Sequence, residues 1–161
     1  MAAVEEALPE IYVLPGESHF VAQPAVIRTV LGSCVGVTIW APQVGASALC
    51  HPMLPNVPKN GRIEASQGRR YVDYAIRELA HRFDALGALR SEVEVKLFGG
   101  ADVLVVSANE SRPTVGRMNS EVALEVLRAE GFTVAARSLG GDCGVHISFN
   151  TQTGQVLLRR L

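Results

Sequence analysis

The chain has 161 residues, with 15 Lys and Arg against 16 Asp and Glu, so it is nearly neutral and lacks the electrostatic footprint of a general nucleic-acid binder. The 48% apolar fraction, with only 19% charged residues, excludes a disordered chain and fits one domain over 1–161. Three cysteines, Cys34, Cys50 and Cys143, form no disulfide framework and suit thiols in a reducing compartment.

Met1 to Glu10 is acidic, without a basic-then-apolar signal pattern, so residues 1–9 are expected to form a flexible extension and the chain to be cytoplasmic. Glu10 to Leu14 is a short strand candidate, and Val26 to Leu31 and Val35 to Trp40 are β-rich runs interrupted by Gly32-Ser33-Cys34. Ala41-Pro42-Gln43 is a turn, and Ala46 to Leu54 forms a third run. No Lys, Arg, Asp or Glu occurs from Val30 to Pro58, a length that would suit a membrane span. Pro42, Pro52, Pro55 and Pro58 break the stretch, so it reads as strands buried on both faces, without membrane insertion. Asn56 to Ser66 is an exposed loop by its Pro, Asn and Gly content.

The first helix is predicted over Gln67 to Leu86, where Val72, Ala75, Ile76, Leu79, Phe83 and Leu86 recur at helical spacing and Gly87 supplies a C-terminal cap. Val93 to Phe98 alternates as a strand entering Gly99-Gly100. A second helix covers Val115 to Glu130, with Met118, Val122, Val126 and Leu127 on one face and Gly131 at its end. Phe132 to Leu139, Val145 to Phe149 and Gln155 to Arg159 follow as strands, the last two joined through Thr153-Gly154. Two helices among many strands predict an α/β or α+β sandwich.

The segment richest in chemistry is Leu31-Gly32-Ser33-Cys34-Val35. A cysteine on a sharp turn between strands can point its sulfur into a cleft, and the turn's backbone N–H groups, around Gly32 and Ser33, can converge on an oxyanion. Such a thiol needs a partner that lowers its pKa from about 8.5 or takes its proton. A free cysteine is otherwise most often a small buried hydrophobe. The partner candidate is His51, at the end of the third run. Strand alternation puts Cys50 and His51 on opposite faces, so at most one looks towards Cys34. Thr29, Asp102 and Asp142 are rival candidates to orient the imidazole, although a lone Thr in a β-rich run is usually a β-former.

Cys34, Cys50, His51, Cys143 and His146 also make a competing zinc set. It lacks the two close ligand pairs of a structural site, so no metal is expected. Gly99-Gly100 and Gly140-Gly141 match no phosphate-binding pattern and read as turns or close backbone approaches.

Gly32-Ser33-Cys34-Val35 followed 17 residues after the cysteine by His51, inside Cys50-His51-Pro52-Met53-Leu54-Pro55, resembles the chemoreceptor glutamine deamidases (CheD). The likeness continues through Phe98-Gly99-Gly100-Ala101, Gly116-Arg117-Met118-Asn119, Gly140-Gly141, Phe149 and Thr153-Gly154-Gln155-Val156, covering Val26 to Leu161. This resemblance implies a three-layer α/β/β sandwich with two main helices, similar to bacterial deamidase toxins. It implies Cys34 as nucleophile, His51 as base and Thr29 as the third member, and no cofactor. The implied reaction converts glutamines of methyl-accepting chemotaxis receptors to glutamates with release of ammonia, and some members also hydrolyse receptor methyl esters. A CheC-type phosphatase is the further partner implied. The alternative is a non-catalytic module that binds receptors or that phosphatase. The chain departs from the family pattern at Cys143, where polar residues are common, and at Val145-His146, where a basic pair is usual.

Overall fold

The computed structural model describes residues 6–103 and 112–161. Residues 1–5 of the expected N-terminal extension lie outside the described residues, whereas Pro9 is tied by its carbonyl to the Val26 amide at 2.9 Å.

Two sheets and a helical layer stack as the resemblance implies, within the α+β sandwich that the pattern of helices and strands predicts. One sheet has four strands in the order β1 (Glu10–Tyr12), β3 (Val26–Leu31), β8 (Val145–Asn150) and β9 (Val156–Arg160). The other has five, in the order β2 (Ser18–Val21), β5 (Ala46–Cys50), β4 (Val35–Ala41), β6 (Glu94–Gly99) and β7 (Val134–Leu139). Helices α2 (Val72–Ala85) and α3 (Val115–Ala129) cover the outer face of the five-stranded sheet. A short α1 (Ala65–Gly68) precedes α2.

Strand alternation sorts the core into two layers. Val35, Val37 and Ile39 of β4 face Ile76, Leu79 and Phe83 of α2 and Ala123 and Leu127 of α3. Leu49 and Phe98 turn the other way, into a second layer with Ile27 and Leu31 of β3 and Ile147 and Phe149 of β8. Strand β4 is thus central and buried on both faces, which explains the long uncharged stretch without a membrane. Among the described residues no helix is long and apolar enough to cross one.

Three expectations are corrected. The helix predicted over Gln67–Leu86 is interrupted at Arg69–Tyr71, because the Arg70 carbonyl accepts from Met53 N at 2.7 Å and Leu54 N at 3.0 Å while Val72 N donates to the Leu54 carbonyl at 2.8 Å. Those tertiary bonds compete with the helical ladder and give α1 and α2 in place of one helix. Leu86 accordingly lies beyond the end of α2 and is 47% exposed, off the core stripe. The third run stops at Cys50, since Pro52 and Pro55 cannot donate to a ladder, so His51 to Leu54 is irregular apart from a bridge to Tyr71. Strand β2 carries no alternation signal and is recruited at the sheet edge by pairing with β5.

Candidate active site

The turn Gly32-Ser33-Cys34 does not close a hairpin: it carries the chain from the four-stranded sheet (β3) to the five-stranded one (β4). Cys34 therefore sits at the end of the space between the sheets, half-buried against the inter-sheet core. Backbone bonds fix the turn from several sides. The Cys34 carbonyl accepts from Gly100 N at 2.9 Å, the Gly32 carbonyl from Ala101 N at 2.9 Å, and Val35 N donates to the Pro52 carbonyl at 3.3 Å. That last bond lays the residue after Cys34 beside the residue after His51.

The expected close approach of Gly99 and Gly100 is present. A Cβ on Gly99 would lie 2.3 Å from the Cys34 carbonyl oxygen, and Gly99 has φ +98°, a conformation that L side chains avoid. These glycines let β6 end directly against the cysteine turn. Gly32 is different, because an added Cβ there meets only ordinary contacts; it and Ser33 contribute backbone.

His51 continues the alternation of β5 past its end. Cys50 points into the helix-side core and His51 into the inter-sheet side shared with Leu49, so the imidazole is the group that faces the cysteine layer. Its backbone is pinned on both sides, with His51 N donating to the Glu17 carbonyl at 2.9 Å and Gly16 N donating to the His51 carbonyl at 2.8 Å. His51 as a whole is 1% exposed.

Of the three rival orienting groups, Thr29 contacts the ring. It points inward from β3, fully buried, with Oγ1 2.7 Å from His51 Nδ1 and 2.7 Å from the Val13 carbonyl oxygen. A carbonyl can only accept, so the single hydroxyl proton of Thr29 goes to Val13 and Oγ1 accepts from His51 Nδ1–H. That fixes the tautomer and leaves an acceptor lone pair on Nε2, which is buried and has no hydrogen-bond partner among the described residues. Asp102 and Asp142 are exposed; Asp102 lies at the rim of the adjoining cleft and its backbone N–H bonds to the Gly141 carbonyl.

Thr29→Val is therefore expected to leave both the Val13 carbonyl and His51 Nδ1 without their partner, and to lower unfolding free energy by about 1–3 kcal/mol in a urea titration. Thr29→Ser, which keeps the hydroxyl, should recover most of that loss. Equal stability of the Val variant and wild type would contradict the hydrogen-bond assignment.

Electrostatics keep both groups neutral at rest. Burial lowers the His51 pKa from the usual 6.5 to about 4, against weaker opposing effects of the Val13 backbone and the Glu17 charge. Burial likewise pushes the Cys34 thiol up, with its own backbone amide partly opposing. The pair is thus a neutral thiol and a neutral imidazole with a free lone pair, not a preformed thiolate–imidazolium. Cys50 is fully buried and pushed up to about 12, chiefly by desolvation, so it is chemically inert.

The zinc set is dispersed. Cys50 faces the helices, Cys143 lies in the β7–β8 turn, and His146 sits among Arg28 and Arg159 on the four-stranded sheet, where burial and those charges lower its pKa. Among the described residues no three His, Cys, Asp or Glu side chains converge on a point where a metal ion would fit.

Cys34 opens onto a cleft of about 580 Å³ whose walls include Ser33, Met53, Leu54, Ala101, Val103 and Val115, with Arg70, Asp102 and Arg112 among its charged residues. A groove of about 630 Å³ on the outer face of α2, lined by Tyr74, Arg77 and His81, contains none of these groups. One further polar residue belongs to the site. Asn119 of α3 is fully buried, and its Nδ2 donates to the Ser33 carbonyl at 2.9 Å and the Met53 carbonyl at 3.0 Å. In sequence it ends the Gly116-Arg117-Met118-Asn119 element of the resemblance, which gives it no role; the packing of α3 across two loops shows what its side chain holds.

A family model described as CheD chemotactic sensory transduction matches residues 53–160. A protein of Geobacter sulfurreducens named "Probable chemoreceptor glutamine deamidase CheD 2" is 44% identical over 161 residues, 100% of this chain and 96% of its own length. One of Maridesulfovibrio salexigens, named "Probable chemoreceptor glutamine deamidase CheD", is 34% identical over 94% of this chain and 91% of its own. The family-model match begins after Thr29, Cys34 and His51, whereas the first of these relatives is similar across them. Among solved structures, Bacillus licheniformis hypothetical protein YfiH shares the fold, with TM-score 0.50 and 10% identity over 75% of this chain and 49% of that one.

Proposed function

Because the chain belongs to the CheD family, we propose that it is a cytoplasmic protein-glutamine deamidase of methyl-accepting chemotaxis receptors, with Cys34 as nucleophile, His51 as general base and acid, and Thr29 orienting the imidazole. The observation that carries this reading is the Val13–Thr29–His51 chain of hydrogen bonds, which leaves an unpartnered acceptor lone pair on Nε2 of a histidine on the inter-sheet side, the side on which Cys34 packs.

The steps follow from that geometry. His51 Nε2 takes the Cys34 thiol proton as Sγ attacks the carbonyl carbon of the glutamine side chain, forming the C–S bond. Turn amides around Gly32 and Ser33 receive the oxyanion. The imidazolium returns its proton to the nitrogen as the C–N bond breaks and ammonia leaves, giving a thioester. Water then attacks the thioester carbonyl, delivers a proton to His51, and expels the Cys34 thiolate, which is reprotonated. The net change is amide plus water to carboxylate and ammonium. Hydrolysis of a receptor glutamyl methyl ester would use the same acyl thioester, with methanol as leaving group. An open, largely apolar cleft beside Cys34 suits the surface of a protein helix.

The test is peptide mass spectrometry of a receptor cytoplasmic fragment incubated with wild type or Cys34→Ala. Gln-to-Glu conversion by the wild type alone is expected. Absence of conversion with receptor binding intact would reject the enzyme and favour a regulatory binding role, with a CheC-type phosphatase as the next partner to test.

A further inference from the structure

Two segments must be held at a fixed separation for Cys34 and His51 to exchange a proton, and they belong to different connections of the fold. One is the β3–β4 turn with Ser33 and Cys34; the other is the irregular stretch from His51 to Leu54. They share a direct bond between Val35 N and the Pro52 carbonyl, at a long 3.3 Å. The second tie comes from α3.

Helix α3 approaches both segments because Gly116 has no side chain. A Cβ there would lie 2.4 Å from the Ala101 carbonyl oxygen and 2.7 Å from that of Gly100, so the first turn of α3 rests on the backbone that anchors the cysteine turn. Asn119, three residues on, shares that face of the helix. Both of its partners, the Ser33 and Met53 carbonyls, are acceptors, so the carboxamide can face them only with its NH2 group, one hydrogen to each. Its Oδ1 is buried and makes no hydrogen bond among the described residues. A buried amide that leaves one atom unsatisfied is costly to stability alone, and costs of this kind collect at functional sites.

On the deamidase reading above, we propose that Asn119 is a positioning residue that clamps the Cys34 turn to the His51 segment and thereby sets the separation across which the proton moves. It touches neither substrate nor the reacting atoms. Asn119→Asp has the same size but cannot donate twice, and as a carboxylate it would turn an acceptor towards two carbonyls. Asn119→Ala removes the clamp without adding charge.

The experiment measures kcat and KM for both variants on the receptor fragment, below their melting transitions, with amide hydrogen exchange over residues 33–35 and 53–54. The expected result is a fall in kcat of about 10- to 100-fold, the scale of loss when reacting groups are misplaced by about 1 Å, with KM unchanged and faster exchange in both segments. A purely structural residue would leave kcat per folded molecule intact. Retained kcat in either folded variant, or failure of both variants to fold, would overturn the clamp. Inactive wild-type protein would instead reject the deamidase reading, and the exchange data would still decide whether Asn119 ties the segments: unchanged protection in both would overturn it.

Discussion

His51→Ala is expected to lower kcat for ammonia release by about 10³-fold, within the range that general acid–base catalysis contributes, while the fold persists because Thr29 keeps its bond to the Val13 carbonyl. The loss is large because Cys34 is not ionised at rest. Burial pushes its thiol up, so attack requires His51 to remove the proton during the reaction. The same electrostatics predict the pH dependence. The working form of His51 is neutral, and burial holds its pKa at about 4, against the usual 6.5. The fraction of neutral imidazole therefore stays high as pH falls through 6.5 and drops only near 4. A profile of kcat/KM against pH, which reports the free enzyme, should place its acid limb there. An acid limb at 6.5 would mean that His51 is solvated in solution, and full activity of His51→Ala would remove it from the reaction.

Gly99→Ala is the second large effect. Its new Cβ would stand 2.3 Å from the Cys34 carbonyl oxygen and 3.2 Å from Leu31 Cβ, at φ +98°. Neither neighbour is the end of a flexible side chain, so the cysteine turn or the end of β6 must move. Unfolding free energy should fall by about 3–5 kcal/mol, the range for backbone strain combined with overpacking, and kcat should fall with it as Cys34 is displaced. Gly87→Ala is the control, since Gly87 has φ +76° but nothing within 4 Å of an added Cβ. That variant isolates the conformational cost, about 1–2 kcal/mol, and should leave activity unchanged. Equal urea midpoints for the two variants would show that contact with the Cys34 carbonyl contributes nothing.

Much of this architecture is legible in the sequence because it is local. Val72, Ala75, Ile76, Leu79 and Phe83 trace the buried face of α2, and the alternation through Cys50 and His51 places them on opposite sides of the sheet, as found. The Gly32-Ser33-Cys34 break between strands marks a turn, and it is the family resemblance that picks out His51 as the partner of Cys34. What is not legible depends on contacts distant in sequence. Thr29 could not be separated from Asp102 and Asp142 by local pattern, because its bond to His51 requires two sheets to stack. The break at Arg69–Tyr71 is set by Met53 and Leu54, and a helical periodicity that runs through it gives no warning. The Gly116-Arg117-Met118-Asn119 element marks Asn119, but its contacts have the same long-range origin, since its partners Ser33 and Met53 are 86 and 66 residues away. The residues that hold this site in place are thus less visible than those proposed to react.

In the proposed reaction Cys34 becomes acylated by a receptor glutamine. Acid quenching of wild type and Cys34→Ala during turnover of a glutamine-containing receptor peptide, followed by mass spectrometry of the intact protein, tests it most directly. The expected species is a covalent adduct with the mass of the peptide less ammonia, mapped to Cys34 and missing from the variant. Steady ammonia release without an adduct, matched by undiminished release from Cys34→Ala, would contradict it.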